Sequence, residues 1–428
     1  MEKIECKLIN ECMYREKLDN GMEIIVVPKK GIKSKYAIWS THYGSIDNEF
    51  EVPTTKERIS VPDGVAHYLE HKMFENEDGH DSLYKLMALG IEANAYTTSD
   101  HTAYLFECTK NFNEGLDELM DYVQHPYFTK ETVEKEQGII GQEIMMYDDE
   151  PIWRCYLNAM KCLYKNNPIR IDAAGTVESI SHITPEILYN CYNTFYKPSN
   201  MVFVVCGDFE PEEVSNEIKK RLLEFKDEGE IKRYYPEEPE EIFKKEQIDK
   251  MEISIPLFMI GIKDRVDIKN DELIKRSIAI QIILEYLLGK SSDLYNELYE
   301  EGLITGGFDI DYETSNIYKH VLISGHSVNP KEIKARFDKK VEEFKNNEIS
   351  EKDFARIKKN LYGSFVSEFN SVSDIARNVL TNWMKNVKNV YKYIEIFDEI
   401  NISYIMKVLN EVFEEKKEII SIIDKNDK

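Results

Sequence analysis

Residues 63–76 read DGVAHYLEHKMFEN, and their period is helical. Val65, Leu69 and Met73 recur every four residues, Phe74 lies near the end, and Asp63 stands where an N-cap belongs. A helix brings residues i and i+4 to one face, so His67 and His71 are one turn apart with Glu70 on the adjoining edge. Two imidazoles so disposed can approach one cation without unwinding the backbone. The same spacing also arises in an amphipathic helix whose histidines are four apart by accident, so a third ligand decides between the readings.

That ligand is sought in VEKEQGIIGQEIMMYDDE, residues 133–150. A helix over 130–146, with Val133, Gln137, Ile140 and Ile144 as its series, presents Glu136 and Glu143 on nearly the same face, two turns apart. Glu143 is assigned to the metal and Glu136 to the support of a ligating imidazole, whose tautomer a neighbouring carboxylate fixes. Glu134, Asp148, Asp149 and Glu150 read as solvated charge. HxxEH is the inverse of HExxH and a zinc-peptidase signature. Two neutral imidazoles and a carboxylate suit Zn2+ and leave a fourth position open for water. The expected chemistry is hydrolysis: zinc lowers the pKa of water and polarises the scissile carbonyl, Glu70 takes the water proton and passes it to the leaving amine, and the histidines remain ligands.

The chain as a whole is compatible with an enzyme of this kind. Its 428 residues can bury substantial cores, and 42% hydrophobic with 31% charged residues is a soluble globular composition. A formal charge of −24 argues against nucleic acid as a partner, since a phosphate backbone meets a repelling average field. The seven cysteines form no CxxC pair and fit reduced thiols in a cytoplasmic protein. The first residues, MEKIECKLINECMYREKL, have no apolar core of a signal peptide, and no stretch approaches eighteen uninterrupted apolar residues, so neither export nor a membrane is expected. No P-loop or dinucleotide fingerprint competes with the histidine helix.

The organisation is that of two similar halves. A pair of strands is expected at 22–28 and 36–44, a helix ending at Gly90, two strands around the Thr-Thr-Ser-Asp turn, helices at 113–123, 130–146 and from Pro185, and a strand at 201–209. Pro and dense charge interrupt the periodicities at 229–247, GEIKRYYPEEPEEIFKKEQ. Beyond it the grammar repeats: a strand over 251–262, a helix over 273–288, a strand over 317–326, helices at 330–344 and 352–368, and a last strand at 418–424. The expectation is an α+β protein of two homologous lobes whose sheets are covered by helices: 1–228 as the lobe with the zinc site, 229–247 as linker and 248–428 as the second lobe.

Taken together, GMEIIVVPK, GVAHYLEHKMFE, IEANAYTTSDHTAYLFE, EKEQGIIGQE, TFYKPSNMVFVVCGDF and SSDLYNELYEEGLI resemble the inverzincin peptidases of the insulinase, pitrilysin and mitochondrial processing peptidase family. The resemblance covers essentially the whole chain. It implies a processing-peptidase-like architecture of homologous lobes, zinc held by His67, His71 and Glu143, Glu70 as catalytic base and Glu136 as supporting carboxylate. It also implies a homodimer or a heterodimer with a related subunit, and an edge strand corresponding to Ala93, Asn94, Ala95 and Tyr96 that pairs with an extended peptide. Read from the residues themselves, Ala93 and Ala95 equally suit internal packing, and Asn94 a turn cap. Many active relatives carry an Arg and a Tyr seven residues apart around a motif matching LYEEGLITGG; here the positions hold Leu298 and Thr305, with Tyr295, Tyr299 and Tyr312 nearby as substitutes. The activity expected is that of a zinc endopeptidase acting on peptides or small unfolded polypeptides. The alternative is a weakly active or inactive peptide-binding subunit of a heteromeric processing complex.

Overall fold

The computed structural model describes residues 1–225 and 229–426 and divides into two compact units. Unit 1 comprises Met1–Ile144, Asp172–Tyr235 and Ser367–Tyr391; unit 2 comprises Met145–Ile171, Pro236–Val366 and Lys392–Lys428. Both are α+β.

In unit 1 the strands are β1 (Glu2–Cys6), β2 (Glu11–Lys17), β3 (Glu23–Pro28), β4 (Lys35–Thr41), a small ribbon of β5 (Glu49–Glu51) with β6 (Arg58–Ser60), then β7 (Glu92–Thr97), β8 (Thr102–Cys108) and β9 (Met201–Gly207). The main sheet runs β1-β2-β3-β9-β4-β8-β7. The strands expected as a pair, β3 and β4, are therefore not neighbours. Strand β9 lies between them, parallel to β3 and antiparallel to β4. The reason is in its composition: all seven residues of MVFVVCG are buried, and a strand apolar on both faces belongs in the middle of a sheet covered on both sides.

Unit 2 repeats this topology with β10 (Glu246–Met251), β11 (Leu257–Lys263), β12 (Asp309–Thr314), β13 (Lys319–His326) and β14 (Glu418–Lys425), in the order β10-β14-β11-β13-β12. Again the last strand inserts between the first two, parallel to one and antiparallel to the other. The expected strand over 251–262 is two strands, broken ahead of Leu257 at Pro256, which has no N–H to donate to a ladder.

On one face of the unit 1 sheet lie α1 (Val65–Lys72), α2 (Ser82–Ala88) and α3 (Phe112–Gln124), and α4 (Lys130–Asp148) follows them. Their apolar side chains join Ile24, Val26, Trp39, Tyr104, Phe106 and Phe203 in one core. The helix packed on β4 and β9 is Val372–Met384, from the far end of the chain. Conversely α5 (Pro151–Leu163) packs on β11 and β14 of unit 2. A division at 229–247 consequently misassigns two segments: 145–171 belongs to unit 2 and 367–391 to unit 1. The apolar stripes of these helices, such as Val372, Ile375, Ala376, Val379 and Leu380, each require a sheet face to cover, at about 1.5–3 kcal/mol per large side chain. A stripe does not say which sheet. The limits set at residues 228 and 428 lie outside the described residues.

Helix α1 is shorter than the stretch 63–76, and Asp63 does not cap it. Gly64 occupies the N-cap with φ of +91°, while Asp63 Oδ1 accepts from Asn48 Nδ2 at 2.7 Å. A Cβ on residue 64 would stand 2.3 Å from the Ala174 carbonyl oxygen, so both the backbone conformation and the space demand glycine. Gly64→Ala is expected to lower unfolding stability by about 1–3 kcal/mol, read as a shift of the urea midpoint; an unchanged midpoint would show that the helix start can relax away from Ala174.

Candidate metal centre

Helix α1 is held by its inward side. Val65, Ala66, Tyr68 and Leu69 are buried, and the Tyr68 hydroxyl donates to the Val133 carbonyl near the start of α4. This contact sets the two helices side by side, with His67 and His71 turned toward Glu136 and Glu143. His71 Nε2 is 3.4 Å from Glu143 Oε2, and His67 Nε2 is 3.8 Å from Glu143 Oε1. The imidazole centroids are 4.5 Å apart. One ligand atom from each of His67, His71 and Glu143 lies within 4.8 Å of the others, and among the described residues no other His, Cys, Asp and Glu side chains form such a set. Donors about 2.0–2.2 Å from a tetrahedral zinc are about 3.3–3.6 Å from each other. The donor set and its spread therefore fit that ion.

The protonation states suit the same purpose. Burial, with His71 beside it, pushes the His67 pKa down to about 3, so its imidazole is neutral, the form that ligates. His67 Nδ1 is buried without a hydrogen-bond partner among the described residues. His71 Nδ1 is 3.0 Å from Glu136 Oε1. Burial lowers the His71 pKa, but the hydrogen bond to Glu136 and the charges of Glu70, Glu143 and Glu136 outweigh it and the net shift is upward. Burial raises the Glu136 pKa, but its bond to His71 prevails and holds it below the usual carboxylate value.

Glu70 is 6% exposed. Burial drives its pKa up to about 7, Glu143 adding to the rise while the Thr97 hydroxyl and His71 oppose it. Thr97 Oγ1 donates to Glu70 Oε2 at 2.7 Å. Sequence reasoning missed Thr97, although the signal was present: strand alternation puts it on the same face as Ala93 and Ala95.

Strand β7, which carries Ala93, Asn94, Ala95 and Tyr96, is the edge of its sheet. Ala93 and Ala95 pack against the core. Asn94 is exposed, and its Oδ1 accepts from the Ala95 N–H at 2.9 Å, so that amide is turned to the open edge rather than to β8. His101, close by, is buried and bonded to Asp100 and Thr98. In unit 2, Leu298 is fully buried and Thr305 is exposed. Tyr312 donates to Asp264 Oδ2 at 2.7 Å, and Tyr295 stacks on the exposed Tyr299. Of the three tyrosines named as substitutes, Tyr312 is thus already engaged.

Comparison with known proteins decides the family. Residues 60–176 match the family model "Insulinase (Peptidase family M16)", and residues 182–361 match "Peptidase M16 inactive domain". The chain is 40% identical over 415 residues to the "Uncharacterized zinc protease YmfH" of Bacillus subtilis, covering 96% of both. This chain belongs to peptidase family M16. The crystal structure of a putative M16-like peptidase from Alicyclobacillus acidocaldarius superposes with a TM-score of 0.93 at 32% identity, covering 99% of this chain and 100% of that one. Part of the chain is also similar to the "Probable mitochondrial-processing peptidase subunit beta, mitochondrial" of Arabidopsis thaliana, 30% identical over 164 residues, 37% of this chain and 30% of that protein. The M16 match over 60–176 spans every side chain of the metal centre. No helix among the described residues is long and apolar enough to cross a membrane.

Proposed function

We propose that this chain is a zinc-dependent endopeptidase of peptides or small unfolded polypeptides. The observation that carries the reading is the convergence of His67, His71 and Glu143 next to a carboxyl group, Glu70, whose pKa burial brings to about 7. A general base works best with a pKa near the working pH.

His67, His71 and Glu143 are the residues that hold zinc. The ion, when bound, supplies a Lewis acid that acidifies water and polarises the scissile carbonyl. Glu70 accepts a proton from the attacking water and delivers it to the leaving amine, and Thr97 fixes the carboxylate's orientation by holding Oε2. Glu136 accepts the Nδ1–H of His71 and so leaves Nε2 as the ligating atom. Glu136→Gln is expected to weaken zinc binding about 10–100-fold in a competition titration with a chromophoric chelator; an unchanged affinity would make Glu136 a bystander. The outer edge of β7, with Ala93, Asn94, Ala95 and Tyr96, pairs with the extended substrate, the Asn94 carboxamide giving way at the Ala95 amide. The free thiols at all seven cysteines support a reducing, cytoplasmic setting.

A second reading rests on unit 2. Leu298 is sealed in the core and Thr305 has no phenol, so this chain does not bring the Arg and Tyr pair implied by its resemblance. A homodimer therefore lacks the pair, and a heterodimer with a related subunit can provide it; without that partner the chain binds peptides and turns them over weakly. The test uses zinc-loaded protein, alone and with the candidate partner chain, on an unfolded-peptide library read by mass spectrometry. Cleavage that a chelator abolishes and zinc restores is expected. Intact peptides under every condition would reject the hydrolytic reading.

A further inference from the structure

The face of β7 opposite Glu70 has no part in the chemistry proposed above, yet it holds an oriented cation. Alternation sends Thr97 toward Glu70 and Tyr96 to the other face. There Arg377, on helix Val372–Met384, lies over the Tyr96 ring with its guanidinium carbon 6.0 Å from the centroid. Arg377 Nε donates to the Tyr36 hydroxyl at 3.1 Å. The guanidinium is thus held by a hydrogen bond at Nε and lies near an aromatic ring, while the residue remains exposed. Asp374 acts on it electrostatically, but no acidic side chain among the described residues forms a direct ion pair with it.

Unit 2 carries a different pair of side chains at the corresponding positions. Tyr156 is the sixth residue of α5 as Arg377 is the sixth of Val372–Met384, and Glu313 is the fifth residue of edge strand β12 as Tyr96 is the fifth of β7. The Tyr156 hydroxyl donates to Glu313 Oε2 at 3.1 Å. In unit 2 the edge strand itself brings the carboxylate. In unit 1 the strand brings an aromatic ring at that position and the helix a guanidinium, with no carboxylate from the edge strand facing it.

We propose that Arg377 is a specificity-determining residue that reads a substrate carboxylate: the preferred peptides carry a glutamate or aspartate whose side chain falls on the Tyr96 face when the peptide pairs with β7. The inference rests on the peptide-pairing role given to β7 under the proposed function. A strand added to the edge places its side chains about 4.5–5.5 Å, Cβ to Cβ, from those of β7, within reach of a guanidinium lying over Tyr96. A planar fork held in orientation suits a carboxylate better than any neutral side chain. With a net charge of −24 the average field repels acidic peptides, so the preference is for one placed carboxylate and not for acidic peptides in general.

The test separates binding from turnover. Fluorescent peptides of one unstructured Ala/Ser/Leu scaffold, in which a single glutamate or glutamine is moved residue by residue, are titrated by anisotropy into the zinc-loaded Glu70→Gln protein. At one register the glutamate peptide is expected to bind about tenfold more tightly than its glutamine twin. Arg377→Gln should bring that ratio to about one, and Arg377→Lys should leave it intermediate. Displacement of the helix by the substitution would weaken both peptides together and leave the ratio standing, which counts against the proposal. Equal affinities at every position, or no binding of any peptide, overturn it as well. If the zinc-loaded wild type hydrolyses none of these peptides while the ratio behaves as expected, the hydrolytic reading fails and the carboxylate site stands.

Discussion

Glu70→Gln is expected to reduce peptide hydrolysis by about 10²–10⁴-fold, the range that general acid–base catalysis contributes, while zinc content stays at the wild-type level. The substitution keeps the shape of the side chain and an oxygen for the Thr97 hydroxyl, which donates to Oε2 at 2.7 Å. What it removes is the capacity to take up and return a proton. Glu70 is not among the side chains whose ligand atoms converge, so metal affinity has no direct reason to change. Removing a buried carboxyl whose pKa is raised to about 7 relieves desolvation, so the variant should melt no lower than the wild type. Single-turnover rates on a cleavable peptide, with zinc measured by mass spectrometry on the same samples, give both quantities. Equal rates in variant and wild type would remove Glu70 from the mechanism, and a parallel loss of zinc would place it among the ligands.

The contrast between Glu70 and Arg377 marks what a sequence discloses about such a site. Glu70, His67 and His71 occupy one helical turn, and Glu136 and Glu143 two turns of another, so helical periodicity alone relates the members of each group. The meeting of α1 with α4 is the first step that periodicity does not provide; it depends on Tyr68 reaching the Val133 carbonyl, one bond among many that a buried tyrosine can make. Thr97 was legible in part, since alternation in β7 put it on the Ala93 face. Arg377 was not legible at all. It reaches Tyr96 only because helix Val372–Met384 covers the sheet of unit 1, and the apolar stripe that drives that packing is the same whichever sheet it covers. Strand β9 failed in the opposite way: its burial on both faces was readable, but its place between β3 and β4 required knowing that a parallel partner lay far away in sequence. The αL start of α1 was hidden behind a plausible cap, because Asp63 precedes a glycine whose missing Cβ makes room for the Ala174 carbonyl, more than a hundred residues on.

Glu143→Ala is expected to abolish stoichiometric zinc binding, with a loss of affinity exceeding the about 10–100-fold that follows from removing a supporting partner of a ligand. It is a cleaner probe of the ligand set than His67→Ala. The His67 side chain is more enclosed, at 14% exposed, and truncating it opens a cavity as well as removing a donor. The Glu143 side chain is 24% exposed, beside the buried Val133, Ile140 and Ile144 of α4 and not one of them, so the helix keeps its core contacts without it. With two histidines left, the ion retains two protein ligands, short of the three that an open zinc site uses. The loss should also appear as stability. Zinc at about 100 times its dissociation constant stabilises the native state by about 2.7 kcal/mol, so added zinc should raise the melting temperature of the wild type and leave that of Glu143→Ala unmoved. Glu134→Ala, an exposed carboxylate on the same helix, serves as the control and should bind zinc as the wild type does. If Glu143→Ala retains full zinc and the thermal shift, the third donor is another group, and the fit of His67, His71 and Glu143 to a tetrahedral ion is coincidental.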